Sequence, residues 1–340
     1  MNTPPRILVV GPAWAGDMVM AQSLFIALHS RFPGCAIDVL APAWTLPLLE
    51  RMPEVSGKIS LPLGHGQFAF NARRRLGLEL RQENYDWAIV LPNSWKSALI
   101  PFFARIPRRS GYVGEWRYGL LNDARRLDKI RLPRTVQRFV ALGLEKNAPL
   151  PPVCPMPRLR VDAGNVAAVK ERFGLTATKG PVLALCPGAE YGPAKRWPSA
   201  YFAEVARVKL AEGWQVWLFG SGKDVETANA IEAAAPGCAN LAGRTGLAEA
   251  VDLLSLADAA ISNDSGLMHV AAALDKPLLA VYGSSDPGFP PPLNDRARVV
   301  RLGLECSPCF KRECPFGHTR CLTDIRPVQV LDALKRLCAS

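Results

Sequence analysis

The chain has 340 residues, 49% of them hydrophobic, which is long for a single core and rich enough for two. No apolar run reaches membrane-spanning length, and the start "MNTPPRILVV" lacks the charged leader, long apolar stretch and cleavage site of an export signal, so a soluble, cytoplasmic protein is expected. The formal charge of +11 is confined to one half: residues 1–160 hold 22 Lys+Arg against 11 Asp+Glu, and residues 161–340 hold 19 against 19. The first half is therefore expected to meet an anionic partner, whether nucleic acid, an acidic membrane surface or a phosphorylated substrate, with a solvated basic face that meets no partner as the plainer alternative.

"ILVVGPAWAGDMVM" (Ile7 to Met20) reads as a buried strand, a glycine-bearing turn and the start of a helix. Its spacing is Gly11-x4-Gly16 rather than G-x-G-x-x-G, and Asp17 stands where a bound phosphate would have to approach. A carboxylate at that helix mouth suits a general base acting on a hydroxyl; a helix-start charge is the plainer use. The strand-like runs "RILVV", "CAIDVLA" and "DWAIVL" alternate with amphipathic segments such as Met18 to Arg31 and Ser97 to Arg105, the grammar of βαβ units on a parallel sheet. Much of the positive charge falls in "NARRRLG", "RIPRRSG" and "RYGLLNDARRLDKIRLPR".

The proline-rich stretch "NAPLPPVCPMPRLR" (Asn147 to Arg160) cannot be helical and suits a stiff linker. Beyond it the grammar repeats: "PVLALCPG", a helix from about Ser199 to Glu212, "QVWLFGSG", a helix from Val225 to Ala235, "AAISND", a helix from Ser265 to Leu274, and "PLLAVYG". The expected fold class is α/β, with Rossmann-like doubly wound domains over residues 1–160 and 161–340 whose carboxyl sheet ends would flank one cleft.

Phosphate chemistry is better provided for in the second half. In "AAISNDSGLMHVAAAL" the strand is expected to stop at Ser262, and Asn263, Asp264, Ser265 and Gly266 to make a short polar turn into a helix whose free amides and dipole favour an anion. Asp264 could equally be an N-cap, and His269 either faces the ligand or packs. "CPGAEYGPAKRWP" brings Gly188, Ala189, Gly192, Lys195 and Arg196 to the next strand end, where the two cations could neutralise a diphosphate. Asp224, after "QVWLFGSGKD", is placed to accept from ribose hydroxyls or to cap a surface helix. There is no D-x-D, so the carboxylate pair that often chelates a diphosphate-bound cation is missing.

The motifs "GPAWAGDMVMAQSL", "APAW", "RMPEV", "PLGHG", "LPNSWKSALIPFF", "GEWRYGLLND", "CPGAEYGPAKRWP", "NLAG" and "NDSGLMHVAAAL" run in order from Gly11 to Leu274. In these the chain resembles the ADP-heptose:lipopolysaccharide heptosyltransferases of the second type, glycosyltransferases of GT-B architecture. The resemblance implies an inverting transfer of L-glycero-D-manno-heptose from ADP-heptose to the first heptose of the lipopolysaccharide inner core, heptosyl-Kdo2-lipid A, without a cofactor for catalysis. By motif match it implies Asp17 as the base, Lys195 as the diphosphate lysine and Asp264, Ser265 and Gly266 as the diphosphate loop; Asp224 matches the ribose contact only approximately. Candidate donor contacts are thus Gly188, Ala189, Lys195, Asp224, Asp264, Ser265, Gly266 and His269. Candidate acceptor contacts are Gly16, Lys96, Arg117 and Arg125.

The same resemblance makes residues 1–160 the acceptor-binding domain and 161–340 the ADP-sugar domain. It also implies a phosphorylated, lipid-anchored acceptor at the cytoplasmic face of the inner membrane, and an enzyme peripheral there. Transfer at another core position is the near alternative. An NAD-dependent oxidoreductase is disfavoured by the broken glycine spacing and Asp17, and a nucleic-acid partner by the lack of an RNP-like strand or zinc-finger spacing.

Nine cysteines without an export signal point to free thiols or a metal rather than disulfides. In "ECSPCFKRECPFGHTRCL", Cys306, Cys309, Cys314 and Cys321 follow C-x2-C-x4-C-x6-C, a composition suited to a structural zinc or iron, with reduced or redox-paired thiols as the alternative. The last segment, Arg326 to Leu337, is expected as an amphipathic helix that either packs on its own domain or crosses back to the first.

Overall fold

A computed structural model describes residues 3–63, 67–175 and 180–339; the "GHG" of "PLGHG" therefore lies outside the described residues. The chain divides into two compact units, Met1–Pro157 and Arg158–Ser340.

The first unit runs β1 (Arg6–Val10), α1 (Ala15–Arg31), β2 (Ala36–Pro42), α2 (Leu46–Leu49), β3 (Gly57–Leu61), α3 (Phe70–Leu80), β4 (Trp87–Val90), α4 (Leu99–Phe103), β5 (Arg108–Tyr112), β6 (Asp123–Arg125) and α5 (Thr135–Leu142). The strands form one parallel sheet in the order β3-β2-β1-β4-β5-β6. β1 and β4 are apolar along their length because helices cover both faces of a parallel sheet, whereas the edge strand β3, "GKISL", alternates between half-buried and exposed residues. Leu8, Val10, Leu40, Ala88, Val90, Leu99 and Ile100 meet in one of its cores.

The second unit runs α6 (Ala163–Arg172), β7 (Val182–Cys186), α7 (Ser199–Ala211), β8 (Gln215–Leu218), α8 (Val225–Ala234), β9 (Ala239–Asn240), α9 (Leu247–Leu254), β10 (Ala259–Asn263), α10 (Gly266–Ala273), β11 (Leu278–Val281), β12 (Ala297–Val300), α11 (Arg320–Thr323) and α12 (Pro327–Ala339). Asp162 starts α6 as an N-cap, accepting from the amides of Gly164 and Asn165 at 3.0 and 3.1 Å. The sheet is parallel, in the order β12-β11-β10-β7-β8-β9. The helix α12 packs on its own unit: Val330, Leu334 and Leu337 join Phe202, Val205 and the fully buried Trp197, whose indole N–H donates to the Ile325 carbonyl at 2.8 Å.

Counted from the first strand of each unit, both sheets follow one order, 3-2-1-4-5-6. They are Rossmann-like doubly wound sheets whose order reverses between β1 and β4 and between β7 and β10. Ligands of such sheets bind beyond the carboxyl ends at that reversal. The loops there are Gly11 to Trp14 after β1, Leu91 to Ser94 after β4, Pro187 to Pro198 after β7, and Asp264 to Ser265 after β10. No helix among the described residues is long and apolar enough to cross a membrane.

Candidate active site

At the reversal of the second sheet, two strand-end loops are fastened by one buried asparagine. Asn263, the last residue of β10, accepts the Trp197 amide at 3.0 Å and donates from Nδ2 to the Pro187 carbonyl at 2.7 Å, so the loop after β7 is tied to β10 at both ends. On this frame Lys195, ending a 3-10 turn over Pro193–Lys195, places Nζ 2.5 Å from Oδ2 of Asp264. Ser285, from the loop after β11, donates to the same oxygen at 2.5 Å. The Lys195 ammonium also lies 5.0 Å from the centre of the Tyr191 ring, within cation–π range.

Asp264 is therefore no N-cap: the cap of α10 is Ser265, with no side-chain bond to the helix, and Gly266 opens the helix. The first-turn amides of α10 stay oriented for an anion, beside a buried cation–carboxylate–hydroxyl group. His269, on the same helix, is buried, and burial lowers its pKa to about 4, with Asp264 raising it and Lys195 lowering it further. It is a neutral imidazole at neutral pH, not a cation for a diphosphate.

Asp224 is buried, not a surface residue, and its Oδ2 accepts both the amide and the hydroxyl of Ser221 at 2.8 Å. These bonds close a capping box on Ser221, the N-cap of the 3-10 turn Gly222–Asp224; at the start of α8 Asp224 makes no side-chain cap bond. The carboxylate lies against Gly188, where an added Cβ would stand 2.5 Å from Oδ2, so the approach of the two loops depends on glycine. The buried Ala189 gives its carbonyl to Arg196 Nε at 3.2 Å, which commits part of that guanidinium to the loop itself.

In the first unit Asp17 is the third residue of α1, half-buried in the first turn, behind an N-cap, Trp14, that makes no side-chain cap bond. Trp44 holds this loop by donating its indole N–H to the Ala13 carbonyl at 2.9 Å. A Cβ at Gly11 would come within 2.7 Å of the Met18 methyl, which would have to shift to admit it. Gly16 is buried beside Asp17. Lys96 sits in the 3-10 turn Trp95–Ala98 after β4 and donates to the Gln67 carbonyl at 3.3 Å.

Both arginines expected at an acceptor are committed to the fold. Arg117 is wholly buried, donating to the carbonyl of Pro92 at 2.6 Å, to Ser97 Oγ at 3.0 Å and to the Tyr112 carbonyl. Burial lowers its pKa to about 10. Arg125 donates to the Ala141 and Leu144 carbonyls at 2.7 and 2.9 Å and pairs with Asp123 at 2.8 Å. Both guanidiniums pin loops and leave little for a ligand.

The expected metal centre finds no support among the described residues. Cys306, Cys309, Cys314 and Cys321 do line one small pocket with His318 and Ser284, but among the described residues no group of three or more His, Cys, Asp or Glu is arranged to hold a metal ion. The nearby backbone N–H groups of Thr319, Phe316, His318 and Gly317 hold the Cys314 thiol below its ordinary pKa, and His318 Nδ1 accepts the Arg320 amide at 3.0 Å at the start of α11. These groups serve the turn they stand in. The segment instead buttresses Lys195: the Arg312 carbonyl accepts the Ala194 amide at 3.0 Å, and the Phe310 carbonyl accepts the Tyr191 hydroxyl at 2.7 Å.

Ser285 and Tyr191 had no role in the sequence reading, and Asn263, expected in the polar turn, is instead the last residue of β10. "GSS" after the run "PLLAVYG" was the available signal for Ser285, a third polar strand end beside the two already noted.

Comparison with known proteins bears on this geometry. The profile of "Glycosyltransferase family 9 (heptosyltransferase)" matches residues 73–320. The chain is 51% identical to lipopolysaccharide heptosyltransferase 2 of Salmonella typhimurium and 50% identical to that of Escherichia coli, each alignment covering 98% of both chains. Among solved structures it is similar to that of the E. coli ADP-heptose LPS heptosyltransferase II, with TM-score 0.87, 47% identity and 98% of each chain covered. The chain belongs to glycosyltransferase family 9, the heptosyltransferases.

Proposed function

We propose that the chain transfers L-glycero-D-manno-heptose from ADP-heptose to the first heptose of heptosyl-Kdo2-lipid A, with inversion, in building the lipopolysaccharide inner core. The supporting relatives carry the second-type heptosyltransferase name across the whole chain, and one is named for ADP-heptose. The observation that carries the donor assignment is the Lys195–Asp264–Ser285 group beside the α10 N-terminus, at the reversal of the second sheet.

In this reading the diphosphate of ADP-heptose lies on the α10 amides and draws the Lys195 ammonium. Asp264 and Ser285 hold that ammonium in place before the donor arrives. Asp17 takes the proton of the acceptor hydroxyl as its oxygen bonds to the anomeric carbon, while the bond from that carbon to the diphosphate breaks and ADP departs with the electron pair. Lys195 and the helix amides meet the charge that grows on the leaving oxygen. Residues 1–160 would take the acceptor and 161–340 the ADP-sugar, and the chain would work as a peripheral protein at the cytoplasmic face of the inner membrane.

The test is ADP release with two acceptors. Turnover of ADP-heptose with heptosyl-Kdo2-lipid A and none with Kdo2-lipid A is expected. Equal turnover with Kdo2-lipid A would move the reaction to another core position.

A further inference from the structure

The first unit carries an exposed aromatic surface to which the transfer chemistry above gives no role. Phe68, Phe70 and Phe102 are 50%, 39% and 39% exposed. They belong to a continuous file of rings: Phe68 stacks on Trp95 and on Phe70 with centroids 6.0 and 6.1 Å apart, Phe70 meets Phe103 edge-on at 5.6 Å, and Phe103 meets Phe102 at 5.5 Å. The exposure of Phe68 is built in. The buried Arg73 clamps its loop, donating from Nε to the Phe68 carbonyl at 2.7 Å and from NH2 to the Gln67 carbonyl at 3.2 Å.

Cations frame the rings. Arg74 follows Phe70 by one turn of α3 and so shares its face; Arg74, Arg75 and Arg105 are exposed, and the Arg109 guanidinium lies 5.7 Å from the centre of the Phe102 ring. The acidic groups nearby are Glu79, 4.0 Å from Arg75, and Glu115, which accepts the Trp95 amide. Exposed aromatics contiguous with arginines mark an interaction site, and the charge selects the occupant: a second copy would set these cations against one another, whereas an anionic lipid surface complements them.

We propose that the Phe68–Phe70–Phe102 file with Arg74, Arg75 and Arg105 docks the chain on an anionic phospholipid surface, the rings entering the boundary between headgroups and acyl chains and the guanidiniums lying on phosphates. The inference rests on the reading that the acceptor is lipid-anchored, for which it supplies the surface on which the enzyme stands.

The test is flotation of the full chain with phosphatidylcholine vesicles containing about a quarter phosphatidylglycerol, against pure phosphatidylcholine vesicles. The native chain floats with the anionic vesicles only. Phe70→Ser/Phe102→Ser and, separately, Arg74→Glu/Arg75→Glu each lower the bound fraction at least ~10-fold while turnover of a deacylated, water-soluble heptosyl-Kdo acceptor stays within about twofold of native. That turnover also shows that the variants fold. Native chain that ignores anionic vesicles, or either double variant floating as native does, overturns the proposal, as does a dimer in solution that Phe70→Ser/Phe102→Ser splits. A native chain that floats yet uses no heptosyl-Kdo acceptor would sink the transfer reading instead, so the two failures are separable.

Discussion

Lys195 and Asp264, 69 residues apart in sequence, meet at 2.5 Å, the carboxylate 5% exposed and the lysine side chain 16%. A pair so poorly hydrated is costly to break on one side, because the partner left behind is a buried, unmatched charge. Lys195→Ala should lower unfolding stability by about 3 kcal/mol. Lys195→Ala/Asp264→Asn should lose less than the sum of the two single variants, since both remove one interaction. Urea unfolding of the four chains measures this coupling, and strict additivity would show that the contact has no energetic weight.

His269 sets a pH dependence. Its pKa is lowered from 6.5 to about 4 in the folded chain, chiefly by burial. As pH falls from the unfolded value toward the folded one, the unfolded chain binds a proton that the folded chain refuses, so stability falls. Above the unfolded pKa both states are neutral and the effect is gone. The loss attributable to His269 should reach at most about 3 kcal/mol near pH 4. In His269→Gln the slope of stability against pH between these values should be shallower than in native chain; an unchanged slope would mean that the imidazole is protonated within the fold.

Arg117 separates an interior pin from an acceptor contact. Arg117→Met strands the carbonyls of Pro92 and Tyr112 and the Ser97 hydroxyl, and should cost at least about 3 kcal/mol. The KM for acceptor in the molecules that remain folded should be unchanged. Near-native stability with a raised acceptor KM would restore the role expected from sequence.

The thiols should differ in reactivity. Cys314 has its pKa lowered by four backbone N–H bonds, the Thr319 amide foremost, whereas burial raises Cys186 to about 12 and Cys154 and Cys238 to about 11. Limiting iodoacetamide at neutral pH, read by peptide mass mapping, should alkylate Cys314 well before those three. Early labelling of Cys186 would contradict the buried strand position given to it.

Much of the architecture was legible in the chain. Strands buried on both faces are mostly apolar, so β1, β4 and β7 were readable as "ILVV", "WAIV" and "VLALC", and β10 as "AAI" running into a polar end. What failed was the inference from charge to exposure. Arg117 and Arg125 count toward the basic excess, yet a guanidinium whose donors find backbone carbonyls can be buried, and neither composition nor spacing reveals those carbonyls. The cysteine spacing did foretell that the four thiols share one pocket, but spacing alone does not make that pocket a metal site. Ser285 escaped because its meaning appears only when the end of β11 is laid beside Asp264.

The measurement that bears most directly on the mechanism is single-turnover ADP release by Asp17→Ala with saturating ADP-heptose and heptosyl-Kdo2-lipid A, together with ADP affinity by calorimetry. If Asp17 is the base, the rate falls at least ~100-fold while ADP binds as it does to native chain. Turnover near the native rate would make Asp17 a helix-start charge and leave the acceptor proton to another group.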